Sequence, residues 1–516
     1  MVDRKSVSIC VHLWIYIFMA EHFISREEAE SDLLACAAYI SEAIDSADGH
    51  AEAMSAVVPR YLAKGDVDLA AELANTVDDP FTRDRLLIHV AEKCAQDDDD
   101  EYARQLVEAI EDPGLQAEGF ERIGLLKGAK GQTDLARLVA EEMPHPEYVL
   151  AAIAVKKYSD GDMEWFNAEV KDVEFAAARV SAYTGVAHEL VAEEKFDGVS
   201  ELLERAAEDA AEIEHEEERI RSLVEIGTLL SDAKDNGRAI NVFDKAKSYV
   251  EELDNVHRDS FFAAISVGFL RAGSQDLADR TLDLVADKTQ IATCLTGHAR
   301  HFWNAGQKED ALESLEEAYA ILKSQRDNET RSSRDRFRLF GSIAAQFALF
   351  DKAERAIEVA ETIEDETENM TSLAQVATIL TAEGKDELAR RALHAIPEDA
   401  QRTFALIGMS DAKAKLEQRE AALELLDEAS HLTETVPQLA SRASSYIELA
   451  GRFAKLDDDA RLSSAIRNAF ETVLEVRDES IKATSLAEIH KLTEELQLEL
   501  GPDELAYLKK LAAQAG

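Results

Sequence analysis

The sequence predicts an all-α chain built as an α-solenoid, one continuous stack of helical hairpins. Three observations carry that prediction. Apolar residues recur at the spacing of one helix face, in paired segments along nearly the whole chain. A glycine or a short polar run separates the members of each pair. The pair itself returns at near-regular intervals, the sequence signature of a repeat architecture.

The stretch "HFWNAGQKEDALESLEEAY" (His301–Tyr319) shows the physics of one unit. Ile291, Cys294, Leu295, His298, Ala299 and Phe302 form one helical stripe, and Ala311, Leu312, Leu315, Ala318, Tyr319 and Leu322 form a second. Gly306 stands between them and tolerates the left-handed conformation that ends a helix. Small residues at Ala299 and Ala311 let the two backbones approach closely. A lone hairpin cannot bury both stripes, but stacked hairpins can.

Aligning every unit on its equivalent of Ala311 gives twelve landmarks. They are Ala70, Ala103, Ala136, Phe166, Val199, Ala239, Ala278, Ala311, Ala353, Ala389, Ala422 and Leu462. Ahead of each comes an apolar residue followed, in most units, by a small one, as in Val90-Ala91, Ile226-Gly227, Phe340-Gly341 and Leu449-Ala450. The landmarks lie 33, 33, 30, 33, 40, 39, 33, 42, 36, 33 and 40 residues apart. Several long intervals exceed 33 by six or seven residues, close to two helical turns, as expected of hairpins with longer arms.

These units resemble tetratricopeptide (TPR) repeats, and the resemblance covers about residues 50–475. "NAGQKEDALESLEEAY" carries Gly306, Ala311, Leu315 and Ala318 at the family's signature places, and "AEGKDELARRALHAI" and "AKGDVDLAAELANTV" are similar. The family's tryptophan early in the first helix is absent throughout, and Phe166 and Val199 replace the landmark alanine. The repeats are therefore divergent, and other helical-hairpin solenoids stay open. The resemblance implies a right-handed superhelix of about twelve TPR-like hairpins with capping helices. It also implies a concave face, lined by the first helix of each hairpin, that holds an extended peptide or a partner helix.

Composition narrows the function classes. The chain carries 104 Asp+Glu against 56 Lys+Arg, a formal net charge of −48, which repels phosphate backbones and anionic lipid surfaces. Nucleic acid and membrane are accordingly disfavoured as general partners. The 46% hydrophobic content in regular spacing argues against disorder. Four scattered cysteines (Cys10, Cys36, Cys94 and Cys294) form no CxxC pair and read as reduced core residues.

The ends are expected to cap the stack. An apolar run, Val7–Ala20, dominates residues 1–24 and is short for a membrane span. Three roles fit it: a start codon misassigned upstream of Met19, a signal or anchor, and a structural segment. Ser25 and Glu28 make a capping box behind Ile24, so the solenoid (25–516) is expected to open with a capping helix, 25–45. It is expected to close with capping helices over 478–516, Gly501 stopping a helix, Pro502 opening the next, and Lys509 and Lys510 in a last turn. A cytoplasmic location follows, or an exported or anchored one if residues 1–20 are a real signal.

No catalytic motif is recognisable: the chain lacks GxxxxGK[ST], GxGxxG after a strand, HExxH and GxSxG. No catalytic residue, cofactor or metal is therefore expected. His298 and His301 are three residues apart, but His298 lies in the apolar column and reads as a core histidine. "DDDDE" (Asp97–Glu101) falls in a hairpin turn and lacks the alternating ligands and glycine of a calcium loop. Helix-capping carboxylates are the reading, repeated by Asp457–Ala460 in the last unit.

The family register places Arg221, Thr228, Ser231, Arg271, Thr296, Arg300, Trp303, Asn304, Arg338, Ser342 and Gln346 on the groove face. The expected partner-binding residues are Arg221, Arg271, Arg300, Trp303, Asn304 and Arg338. Guanidinium groups can hold a carboxylate bidentately, and Trp303 can anchor an apolar side chain. The competing expectation is that the arginines pair with acidic neighbours on adjacent helices. Tyr148, Tyr158 and His188 form a second, weaker patch. The leading expectation is a non-catalytic interaction scaffold for a protein or peptide with an acidic or C-terminal carboxylate motif. An enzyme with an unrecognised pocket and an envelope-associated, self-assembling structural protein are the alternatives.

Overall fold

Helix-favouring stretches broken by polar turns fold as the spacing predicts. The structure, a computed structural model, describes residues 23–325 and 333–515, all-helical with 28 helices among them. The Val7–Ala20 run and Cys10 lie outside the described residues. Two short helices, Arg26–Ala29 and Leu33–Glu42, come first. Twelve hairpins follow, from Ala47–Lys64 with Val67–Asn75 to Leu439–Lys455 with Asp459–Glu475, and two more helices, Glu479–Glu495 and Pro502–Ala515, end the chain. The described residues thus form an all-α array of helical hairpins.

The landmark column is the core. Ala70, Ala103, Ala136, Phe166, Val199, Ala239, Ala278, Ala311, Ala389, Ala422 and Leu462 are all buried, as are the pairs Val90-Ala91, Val376-Ala377 and Leu449-Ala450. The ninth hairpin corrects the expected register by three residues. Its left-handed turn residue is Asp351 (φ 61°), not a glycine, and Lys352 N donates to the Phe347 carbonyl as Gln307 N does to Phe302. The true landmark is therefore Ala356, with Ile343-Ala344 as its buried pair, in place of Ala353 and Phe340-Gly341. Positions three residues apart share one helix face, so the apolar pattern fits both alignments and only the turn separates them.

Turns lacking glycine recur. Asp98 (φ 66°) and Asp457 (φ 53°) take the left-handed place that Gly306 (φ 80°) fills elsewhere. In both acidic turns the following aspartate caps a helix, Asp99 accepting from Tyr102 N and Asp458 from Arg461 N.

The chain divides into two compact units, Met1–Gly119 with Lys413–Gly516, and Phe120–Ala412. In the first, the capping box is present: Ser25 N donates to Glu28 Oε2 (2.9 Å), Glu28 N to Ser25 Oγ (3.2 Å), and Ile24 is buried. The expected single helix 25–45 is two, because Asp32 accepts from Ala35 N and caps a new one. At the other end the helix stops at Glu495, with Gln497 left-handed (φ 54°), before Gly501 is reached. Lys509 and Lys510 lie inside Pro502–Ala515, which runs past them by more than a turn.

In the second unit, neighbouring first helices interlock by a rule. The residue eleven before one landmark meets the residue fourteen before the next: Val155 on Gly185, Val267 on Gly297, Thr378 on Gly408, and His188 on Glu225. At three of these four contacts the second residue is glycine, which lets the first helices pack closely. No helix among the described residues is long and apolar enough to cross a membrane.

Candidate partner-binding face

Tyr148 Oη donates to Glu218 Oε1 at 3.2 Å, although the hairpin of Ala176–Ala192 and Val199–Ala210 intervenes in sequence. Packed helices stand roughly 8–10 Å apart, so in a flat stack these two first helices would be separated by about twice that. The long tyrosine and glutamate side chains reach across that distance on the first-helix face.

The predicted arginines meet different fates. Arg271 Nη2 pairs with Asp232 Oδ1 on the preceding first helix at 2.6 Å, and Arg338 Nε pairs with Glu368 Oε1 on the following one at 3.3 Å. For these two the competing expectation holds, and acidic neighbours take them. Arg221 is exposed on Glu216–Asp232.

Arg300 differs. It is exposed on Lys288–Asn304 and its hydrogen bond runs to a neutral group. With the Gln346 amide oriented to satisfy both neighbours, its oxygen accepts from Arg300 Nη2 (3.2 Å) and its nitrogen donates to the Thr296 carbonyl (3.2 Å). Gln346 is buried, so Arg300 is steered by a fixed amide and carries its charge to the surface.

Trp303 is half-buried. It stacks on Phe350 (centroids 4.4 Å apart, planes at 10°), and Lys308 Nζ lies 4.9 Å from its ring centroid. The indole is thus partly a packing residue between hairpins eight and nine. Phe350 sits where other turns carry an alanine such as Ala305, a signal hidden by the three-residue offset of hairpin nine. Asn304 is exposed beside it. Thr228, Ser231 and Thr296 spend their hydroxyl protons on Val224, Gly227 and Ala292 of their own helices, leaving only acceptor capacity toward the face.

His301 is held below the usual histidine range by burial and by nearby Arg271.

The second patch is self-paired: Tyr148 on Glu218, His188 Nε2 on Glu225 Oε1 (3.0 Å), and Tyr158 edge-on to buried Phe166 (5.1 Å). An open depression of about 630 Å³ at the third hairpin's turn is lined by Gly131, Gln132, Thr133 and Asp134. No three His, Cys, Asp or Glu side chains among the described residues are grouped to hold a metal ion.

One polar cluster escaped the sequence reading. Buried His298 places Nε2 3.0 Å from Ser266 Oγ and 3.5 Å from Cys294 Sγ. The four-residue spacing of Cys294 and His298 was the available signal, and Ser266 was visible only as a small core residue.

No family model matches the chain, and no curated protein sequence does. Among solved structures it is similar to yeast Tom70, at 16% identity over 87% of this chain and 97% of that one, with a TM-score of 0.24. It is also similar to Ton1535 from Thermococcus onnurineus (14%, 78% and 98%, TM-score 0.25). A third is the apo form of the quorum sensor NprR from B. thuringiensis (14%, 70% and 99%, TM-score 0.25).

Proposed function

We propose that the protein is a non-catalytic scaffold that holds a peptide or protein partner on its first-helix face, around Arg300. The observation that carries this reading is the state of that arginine. Acids outnumber bases 104 to 56, yet Arg300 is exposed and bonded to an amide, with no carboxylate of the described residues on it. An acidic side chain or a C-terminal carboxylate of a partner is the group that complements it. Arg271 joins at low cost, because its pair with Asp232 is two-fifths exposed on both sides and such pairs contribute only about 0–1 kcal/mol. A ligand carboxylate can therefore displace Asp232. Trp303 offers what Phe350 leaves free of its indole, a contact for an apolar side chain next to the carboxylate. Arg221, Asn304 and Arg338 extend the same face.

The test is affinity purification from the native organism with wild type and an Arg271→Glu/Arg300→Glu variant of unchanged far-UV circular dichroism. Loss of the wild-type partner from the variant supports the site. Recovery of every wild-type interactor with the variant overturns it.

A further inference from the structure

In the hairpins of the first unit, a first helix packs on the second helix that follows it in sequence, as Leu439–Lys455 does on Asp459–Glu475. Glu479–Glu495 breaks this pattern. The next helix, Pro502–Ala515, packs chiefly against Leu33–Glu42 and Asp459–Glu475. The place beside Glu479–Glu495 belongs instead to Leu33–Glu42, from the other end of the chain, with Ala47–Lys64 as the adjacent first helix. Polar contacts fix the arrangement: Arg60 Nη2 to Glu488 Oε1 (2.9 Å), Ser480 Oγ to Glu52 Oε2 (2.8 Å), and Lys482 Nζ to Gln514 Oε1 (2.9 Å). Phe23 N donates to Glu42 Oε1 (2.9 Å), tying the start of the described chain to the end of the same helix.

On Glu479–Glu495 one residue is out of character. Seven positions before the left-handed turn residue, other hairpins carry a small side chain: Ala91, Gly227, Ala299, Ala344, Ala377 and Ala450. Seven before Gln497 stands His490. The facing helix makes room with a run of small residues, Ala35, Cys36, Ala37 and Ala38. His490 is half-buried, and its Nδ1 is shut off from solvent with no hydrogen-bond partner among the described residues.

We propose that Leu33–Glu42 and Glu479–Glu495 form an acid-sensitive clasp between the two ends of the chain, loosened when His490 is protonated. The neutral ring is the better tolerated form, because an unpartnered buried lone pair costs less than an unpartnered buried charge. Protonation puts an N–H donor and a charge at that nitrogen, for which no hydrogen-bond partner stands among the described residues. Charged groups from each neighbouring element act on the ring. Glu494 on its own helix and Asp32 at the start of Leu33–Glu42 favour the charged form, whereas Lys64 and Arg60 on Ala47–Lys64 oppose it. Pro502–Ala515 reaches this helix through the neutral Gln514, and Leu439–Lys455 meets it where Gly451 faces Leu492. Burial is the largest influence and lowers the affinity for a proton. A histidine depressed in the closed state favours closure above the ordinary histidine range, and that contribution is lost as pH falls through it.

The experiment is hydrogen–deuterium exchange of the full chain at pH 7.5 and 5.5, corrected for intrinsic exchange, in wild type and His490→Ala. Peptides within 23–45 and 479–515 are expected to open more at pH 5.5 in wild type, by up to about tenfold, since a released histidine of pKa about 6.5 is about ten-to-one protonated there. His490→Ala, which restores the small residue of the other hairpins, is expected to show no pH difference. Equal exchange at both pH values in wild type, or the same pH difference in His490→Ala, overturns the clasp. Should His490→Ala open the junction already at pH 7.5, His490→Gln is read in its place. Protection at both pH values then supports the proposal, and pH-dependent exchange overturns it.

Discussion

Phe243 fills the space that Gly268 leaves empty: a Cβ at position 268 would lie 2.5 Å from the ring's Cε1 and Cζ. The same ring covers Gly227, where a Cβ would come within 2.6 Å, and meets Phe269 edge-on at 5.7 Å. One second-helix phenylalanine is thereby wedged between its own first helix and that of the next hairpin. Gly268→Ala is expected to cost about 1–3 kcal/mol by overpacking, because an aromatic ring cannot shorten to make room. Adding Phe243→Leu should recover part of that loss, a coupling that a double-mutant cycle on urea midpoints would measure. Additive effects of the two changes would mean that the ring and the glycine do not share this space.

The turns make a second prediction. Asp351 and Lys234 hold left-handed conformations (φ 61° and 68°) at the place where Gly306 sits in hairpin eight. A non-glycine residue there costs roughly 1–2 kcal/mol, and glycine returns about half of that as unfolded-state entropy. Lys234→Gly is therefore expected to stabilise by about 0.5–1 kcal/mol, and Gly306→Ala to destabilise by a similar amount. Thermal or urea unfolding of the two variants reads both signs, and a stabilising Gly306→Ala would contradict this account.

How far the sequence carried the structure follows from these same residues. Ala299, Ala311 and Gly306 show two faces and a break, so hairpin eight was legible. Hairpin nine was legible as a hairpin but not in register, because Asp351 hides the turn and Phe340 and Ile343 share one stripe. The pairing of Leu33–Glu42 with Glu479–Glu495 was not legible, since both segments look like ordinary amphipathic helices and only contact shows which face meets which. For the arginines, position was legible but state was not. Arg271 and Arg300 look alike in the register, and only the placement of Asp232 and Gln346 distinguishes them.

Thiol chemistry offers a third check. Cys36, Cys94 and Cys294 are buried and free. Burial, with Asp32 adding to it, pushes the Cys36 thiol up to about 12, and burial pushes Cys94 and Cys294 up to about 11. The thiolate is the reactive form, so at pH 8 all three should alkylate far more slowly in the native protein than in urea. Site-resolved mass spectrometry after iodoacetamide treatment measures this. Rapid native labelling of Cys294 would show that the His298 cluster is open to solvent.

That cluster carries the last prediction. Ser266 has one hydroxyl proton and donates it to the Ala278 carbonyl at 2.7 Å, so its oxygen is left to accept from His298 Nε2–H at 3.0 Å. The serine thereby selects the neutral tautomer protonated on Nε2. Burial first, then nearby His301, lowers the imidazole to about 4. With an unfolded-state value near 6.5, the histidine's contribution to stability is complete above about pH 6.5 and falls away toward pH 4. At 1.36 kcal/mol per pH unit, that amounts to roughly 2–3 kcal/mol across the window. His298→Gln keeps a donor for Ser266 without a titrating ring, so its stability profile should be flatter than wild type by that amount between pH 6.5 and 4. Ser266→Ala should cost about 1–3 kcal/mol at neutral pH by stripping Nε2–H of its oxygen acceptor. Parallel wild-type and His298→Gln profiles in urea unfolding across this range would show that the ring is already solvated in the folded chain.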